Sequence, residues 1–286
     1  MTRYNLLFTA SRPISWVNTA YPFAAALLYF THTIDLLFLV GSLFFLIPYN
    51  LLMYGINDVY DYESDIKNPR KGGVEGAVVP KKFHRFLLGW SYLLPVPFAI
   101  VLIILAPHST PILLGCLFFV IAYSAKHLRF KEIPFLDSIT SSLHFVGPLI
   151  YALSLVGWPT EAWPVVAAFF VWGIASQSLG AIQDITYDKQ AGIGSIGTAI
   201  GERGTVYFSL VLYLIAAALL LPLGIVALPV MIAGGLYCVN LLPAAISSAN
   251  HTGKKARGAW KRFMWLNYIA GAVVTITLAA HSVGFW

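Results

Sequence analysis

The chain has 286 residues, of which 58% are hydrophobic and 10% charged, and a mean hydropathy of +0.76. Soluble domains carry roughly 25% charged residues, so this balance excludes a water-soluble globular protein and marks one embedded in a lipid bilayer. The net charge of +6 invites a nucleic-acid partner, but the placement of the basic residues argues for no nucleic acid.

Apolar stretches approaching the length that a membrane span needs, about 20 residues, fall at 15–29, 36–56, 86–105, 112–124, 135–156, 163–182, 207–221, 228–247 and 263–280. The expected fold class is all-α: a polytopic membrane protein of about nine transmembrane helices in a bundle around a central cavity, one domain over 1–286. The first, fourth and seventh stretches are short and can borrow flanking Tyr and Trp at the interface.

All eighteen Lys and Arg sit in alternate connections. Arg3 and Arg12 precede the first span; Lys67, Arg70, Lys71, Lys81, Lys82 and Arg85 follow the second; Lys126, Arg129 and Lys131 follow the fourth. Lys189 and Arg203 follow the sixth, and Lys254, Lys255, Arg257, Lys261 and Arg262 follow the eighth. The connections at 31–35, 107–110, 157–162 and 222–227 and the C-terminus hold none. The positive-inside rule then places a cytoplasmic N-terminus, an outside C-terminus and cytoplasmic loops at about 57–85, 125–134, 183–206 and 248–262 in a cell membrane.

Arg12-Pro13 opens the first helix, since Pro is tolerated in a first turn. The second span carries Asn50, seven residues before Asn57 and on its helical face; polar groups at membrane depth face a bundle interior. There follows Asn57-Asp-Val-Tyr-Asp-Tyr-Glu-Ser-Asp65, with four carboxylates. If the helix continues, Asn57, Asp61 and Asp65 share one face over ~12 Å of axis, with Asp58 flanking it. Acids so crowded repel one another unless a cation neutralises them. A solvated acidic stretch is the plainer reading, and Glu63, off that face, fits it.

In the long loop that follows, Arg70 and Lys71 either close over an anion, with Gly72 and Gly73 as hinges, or anchor the loop by charge alone. The loop after the fourth span, from Tyr123 to Asp137, brings Lys126, Arg129 and Lys131 to the same side, to meet lipid headgroups or a phosphate. Cys116 and Cys238 lie inside apolar spans and read as small buried hydrophobes. His144, beside Ser141 and Ser142, reads as a hydrogen-bonded interior residue.

The sixth span ends in a second cluster, Gln183-Asp-Ile-Thr-Tyr-Asp188-Lys189, with Asp184 and Asp188 one turn apart and Gln177 seven residues before Asp184. Two even-numbered spans thus end in aspartate ladders on one side, the pattern of two four-helix pseudo-repeats plus a ninth helix. Gly192-Ile-Gly-Ser-Ile-Gly-Thr-Ala-Ile-Gly201 mimics a dinucleotide fingerprint but lacks a preceding strand; it is expected to be a tight, mobile connection. Mg²⁺ is held by one or two carboxylates, waters and substrate phosphates. Two aspartate ladders with Lys and Arg nearby therefore suit a Mg²⁺-bridged diphosphate, with the apolar bundle keeping water from a carbocation.

These motifs, Asn-Asp-x-x-Asp-x-x-x-Asp at 57–65 and Asp-x-x-x-Asp at 184–188, resemble those of the UbiA-type intramembrane prenyltransferases, and the resemblance covers nearly the whole chain. It implies that Asn57, Asp58, Asp61, Asp65, Asp184 and Asp188 hold Mg²⁺ and a prenyl diphosphate, the five aspartates being catalytic. Arg70, Lys71, Tyr123, Lys126, Arg129, Lys131 and Lys189 would bind the diphosphate with Asn57. The runs Asn68-Pro-Arg-Lys-Gly-Gly-Val-Glu-Gly-Ala77, Arg129-Phe-Lys-Glu-Ile-Pro-Phe-Leu-Asp-Ser138 and Ala175-Ser-Gln-Ser-Leu-Gly-Ala-Ile-Gln-Asp184 are similar to those of the lycopene elongases of C50 carotenoid synthesis. That branch implies dimethylallyl diphosphate and lycopene as substrates, with carotenoid cyclase subunits as partners. Aromatic-acceptor members carry an acid and a Tyr one to three turns before motif two, where Gln177 and Gly180 stand here. A different acceptor, such as a quinone precursor, chlorophyllide, haem or a glycerolipid, and a divalent-cation transporter are the alternatives; the latter needs mid-span carboxylates, which are lacking.

Overall fold

The computed structural model describes residues 3–66 and 77–285, and Arg70 and Lys71 lie outside them. Its helices are α1 (Arg3–Ala10), α2 (Trp16–Thr31), α3 (Leu36–Leu46), α4 (Pro48–Tyr60), α5 (Tyr62–Asp65), α6 (His84–Leu93), α7 (Pro95–Leu105) and α8 (Thr110–Ser124). They continue with α9 (Leu136–Leu155), α10 (Trp163–Ala181), α11 (Ile185–Ala191), α12 (Ile196–Ala218), α13 (Leu228–Ala245) and α14 (Thr252–Ser282). Among the described residues, eight helical segments are long and apolar enough to cross a membrane, matching expected spans two to nine. The first expected span is α2, of 16 residues. The protein is an all-α, multi-pass membrane protein.

Two spans are broken by proline. Pro48 separates α3 from α4, because its ring nitrogen has no proton to give and its ring crowds the preceding turn. The carbonyls this releases must be satisfied where no water reaches. Asn50 Nδ2 donates to Phe45 O at 2.9 Å, Leu46 O at 3.0 Å and Thr19 Oγ1 at 2.6 Å, and Thr19 Oγ1 donates to Phe45 O at 2.7 Å. Asn50 is therefore buried, as expected, but it repairs the backbone. Pro95 makes the corresponding break between α6 and α7.

The chain divides into two units, Met1–Phe130 with Leu143–Trp158, and Lys131–Ser142 with Pro159–Trp286. The boundary falls inside α9 and not before it, so the fifth span does not simply open a second repeat. This helix is buried along most of its length. In the first unit Phe23, Phe44, Phe45, Tyr49 and Tyr151 form an aromatic core, and Tyr49 Oη donates to His144 O at 3.2 Å. His144 Nε2 lies 3.2 Å from Phe119 O, which bears out its reading as an interior hydrogen-bonding residue. In the second unit α10, α12, α13 and α14 pack around Trp172, Tyr213, Tyr237, Trp260 and Phe263, with Trp260 stacked on Phe263 at 5.1 Å.

The glycine run after motif two is part connection and part helix: residues 193–195 link α11 to α12, and Gly201, at φ 71° and ψ 173°, kinks α12 near its start. Gly192 ends α11 in the left-handed conformation, φ 69°, and Ser195 starts α12. There Ser195 Oγ accepts from Thr198 N while Thr198 Oγ1 accepts from Ser195 N, a reciprocal cap that nucleates the helix. Helix α12 consequently begins 11 residues before the expected span start at Tyr207.

Candidate active site

In the first unit the acidic stretch keeps its helical hydrogen bonds across a kink. Helix α4 ends at Tyr60 and Asp61 leaves helical geometry at φ −95°, ψ 1°, yet Asp61 N donates to Asn57 O at 2.9 Å and Asp65 N to Asp61 O at 2.8 Å. The side chains nonetheless go to different partners. Asn57 Oδ1 accepts from Ser124 Oγ at 3.0 Å, and Asp61 Oδ1 accepts from Arg129 Nη2 at 3.3 Å. Both partners come from the end of α8 and the turn after it, where Arg129 takes a left-handed backbone conformation, φ 43°.

Asp58 lies on another side and is fully buried. Its Oδ1 accepts from Arg12 Nη2 at 2.8 Å, and the guanidinium carbon sits 4.1 Å from the Tyr54 ring centroid. Tyr54 and Asp58 are one turn apart on α4, so the cation is held between a π face and a carboxylate. Burial pushes the Arg12 guanidinium pKa down, but Asp58, chiefly, and Tyr54 and Asp65 more than offset it, and the net direction is up. Arg12 is thus a permanent cation only 15% exposed, in the left-handed region at φ 49°, where a side chain costs about 1–2 kcal/mol. Asp65 is buried too, at 6% exposure. Asn57 and Asp61 thus meet Ser124 and Arg129, and the negative charge of Asp65 adds to the field that raises the Arg12 pKa.

The remaining assignments in this unit are mixed. Tyr123 belongs to the last turn of α8 and not to a loop, its ring edge-on to His144 at 5.0 Å. Lys126 is exposed. Glu63 and Lys81 form a surface ion pair at 2.6 Å, 71% and 66% exposed, in keeping with a solvated role for Glu63.

In the second unit α10 ends at Ala181 and its bonding tightens to three-residue spacing, with Gln183 N on Gly180 O and Asp184 N on Ala181 O, both at 3.1 Å. Asp184 therefore sits at the start of a new helix, α11, and the expected ladder from Gln177 to Asp184 is interrupted. Asp184 and Asp188 keep their one-turn relation through Asp188 N donating to Asp184 O at 2.8 Å. Asp188 Oδ2 accepts from Ser195 Oγ at 3.1 Å. The following segment is fixed by Asp137, whose Oδ2 accepts from Ile196 N at 3.0 Å and whose Oδ1 accepts from Ser138 N at 2.7 Å. Lys131 occupies a short turn, Phe130–Glu132, and Lys189 is exposed.

Gln177 Oε1 accepts from Ser141 Oγ at 2.9 Å, so it is a structural amide. At Gly180 a Cβ would lie 3.0 Å from the Trp260 ring, which leaves no room for a Tyr. Gln183 is 5% exposed, and its Nε2 has no hydrogen-bond partner among the described residues.

Arg12, Ser124, Asp137, Gln183 and Ser195 escaped the sequence reading as site residues. Of these only Ser195 carried a local signal, the Ser-x-x-Thr cap before an apolar run. Arg12 pairs across 46 residues and Ser124 across 67, separations that no local pattern encodes. Among the described residues no three His, Cys, Asp or Glu side chains converge into a metal cage. The oxygen-only donors of the two motifs fit a hard cation that completes its shell with substrate phosphates and water.

The UbiA prenyltransferase family model matches residues 19–269. A lycopene elongase/hydratase of Corynebacterium glutamicum is 48% identical over 98% of both chains. A C(50) beta-cyclic carotenoids biosynthesis protein of a Dietzia species is 45% identical over 98% of this chain and 65% of its own length. The solved structure of a UbiA homolog from Archaeoglobus fulgidus bound to DMAPP and Mg²⁺ superposes with a TM-score of 0.68 at 17% identity, covering 93% of this chain and 99% of that one. The protein belongs to the UbiA prenyltransferase family.

Proposed function

We infer that the protein is a lycopene elongase, which transfers a C5 dimethylallyl group from dimethylallyl diphosphate to the ends of lycopene and gives C45 and C50 acyclic carotenoids. The observation that carries this reading is the 48% identity over 98% of both chains with the Corynebacterium enzyme. The region before motif two agrees with it, since Gly180 packed on Trp260 and Gln177 bound to Ser141 occupy the places where aromatic-acceptor members carry a Tyr and an acid.

In the proposed reaction the allylic C–O bond of dimethylallyl diphosphate breaks, diphosphate leaves, and the terminal double bond of lycopene forms the new C–C bond. The acceptor cation then loses a proton to the departed diphosphate, or adds water, which gives its proton to the same group. Mg²⁺, when bound, supplies positive charge to the departing diphosphate. Asn57, Asp61, Asp65, Asp184 and Asp188 are proposed to hold it. Arg129, Lys126, Lys131 and Lys189, with Arg70 and Lys71, are proposed to bind phosphate oxygens, and the buried amide of Gln183 offers one more donor. Asp58 is proposed to act through Arg12, fixing the helix that presents the other acids. The apolar, aromatic surroundings keep water from the allylic cation and stabilise it through ring faces.

The orientation with a cytoplasmic N-terminus in the cell membrane is proposed on the distribution of Lys and Arg. A carotenoid cyclase is the proposed partner, on the ground that the longer Dietzia relative carries about a third of its length beyond the matched part and a name that specifies cyclic C50 products. Expression in a lycopene-producing host, followed by mass analysis of the extracted pigments, tests the function: masses one and two C5 units above lycopene are expected. An unchanged lycopene pool, with the protein in the membrane and dimethylallyl diphosphate supplied, would refute the reading.

A further inference from the structure

In the second unit, a cavity of about 480 Å³ lies where the end of α13 meets the start of α14. Its wall is Pro243 from α13 and His251, Lys254, Lys255, Gly258 and Arg262 from the α14 segment. The α14 residues follow helical spacing, so they form one face. No acid lines it. Glu202 lies against the neighbouring Gly253 and not in the cleft lining, where Lys254, Lys255 and Arg262 leave a surplus of positive charge. Arg262 is held in place, its Nε donating to Asn240 Oδ1 at 2.7 Å. Gly258 leaves the floor open, since a Cβ there would meet only Arg262 Nη1, at 3.5 Å.

The same face continues as apolar surface along both helices. One and two turns before Pro243, Val239 and Leu236 are exposed; beyond Gly258 on its own face, Trp265 is 71% exposed and Ile269 is exposed as well. A cationic cleft flanked along both helices by exposed apolar side chains matches a ligand with an anionic head and hydrocarbon tails. Basic pockets between membrane helices recognise acidic headgroups in this way, and a Trp just below marks the headgroup level.

We propose that this cleft is a binding site for an anionic glycerophospholipid. Lys254, Lys255 and Arg262 hold its phosphate, and its acyl chains run between Val239 and Leu236 on one side and Trp265 and Ile269 on the other. The site shares no residue with either acidic motif and takes a lipid whatever acceptor the enzyme uses.

Native mass spectrometry of the purified full chain in micelles containing equal phosphatidylglycerol and phosphatidylcholine tests it. Selective retention of phosphatidylglycerol is expected, with Lys254→Gln/Lys255→Gln weakening it roughly 30-fold. Gly258→Leu, which fills the cleft without removing a charge, should also abolish retention. The charge-matched Lys82→Gln/Arg85→Gln should retain the lipid as the parent does. Equal retention of both lipids by the parent chain overturns the proposal even if the variants fail to fold. So does an equal loss in the charge-matched control, which would make the effect one of net charge. Displacement of the lipid by millimolar inorganic phosphate would assign the cleft to a free anion and overturn the lipid.

Discussion

The two acidic motifs are held in place by different means. In the first, Asp58 and Asp61 are gripped by cations that arrive from 46 and 68 residues away, Arg12 and Arg129. In the second, Asp188 is bonded by Ser195, seven residues on, within a segment that caps its own helix. Long-range charge pairing fixes one motif, whereas local turn chemistry and one long-range bond, Ile196 N to Asp137 Oδ2, fix the other. The first is therefore sensitive to charge changes in remote parts of its unit, while the second depends on its own neighbourhood and on Asp137.

Removal of Asp61 from motif one or of Asp184 from motif two should have the largest effect and should not distinguish the motifs. Asp61→Ala and Asp184→Ala are each expected to lower pigment elongation by about 10³-fold or more, as when a group that stabilises transition-state charge is lost, with membrane insertion unchanged. Near-normal activity in either would break the model in which both motifs act on one diphosphate.

Arg12→Gln sharpens the contrast. It strands the buried Asp58 carboxylate, and removing one partner of a buried pair costs about 3–5 kcal/mol, to be read as a fall in the thermal unfolding temperature of the purified protein. Replacing both partners, as Arg12→Met with Asp58→Leu, should recover most of that stability and of the activity. If the double variant is as inactive as Asp61→Ala, Asp58 is a ligand and not a support.

A smaller effect is expected from Ser195→Ala, which deletes a helix cap worth about 1 kcal/mol and one hydrogen bond to Asp188. Its signature should be a raised KM for the prenyl diphosphate with little loss of kcat. Glu63→Gln should be silent in both stability and activity, since its ion pair with Lys81 is exposed. A measurable loss there would place that pair in the site.

How much of this was legible in the sequence follows the same division. Hydropathy and the alternation of Lys and Arg located the spans, because each depends only on a residue's own chemistry and its near neighbours. By hydropathy alone the second span runs straight through Pro48; the structure breaks it there, and Asn50 and Thr19 mend the break. The i, i+4 reading of Asn57 and Asp61 held along the backbone. It holds for Asp65 as well, whose N–H bonds to Asp61 O across the kink at Asp61. After motif two the glycines suggest a connection, which residues 193–195 make; Ser195 and Thr198 then close a reciprocal cap that starts helix at Ile196, and Gly201 kinks it. In motif one the missing information was tertiary, and in motif two it was a local signal outweighed by glycine content.

The buried pair of Arg12 and Asp58 also bears on how the protein enters the membrane. Neither charge can leave water cheaply alone, whereas together they are nearly neutral. Arg12 stands just before α2 and Asp58 near the end of α4, so α2, α3 and α4 form a hairpin with its two charges at the open ends. Closing that hairpin discharges both residues at once. The first two spans can then integrate as a self-neutralising pair, early in synthesis and before Arg129 or any part of motif two has been made.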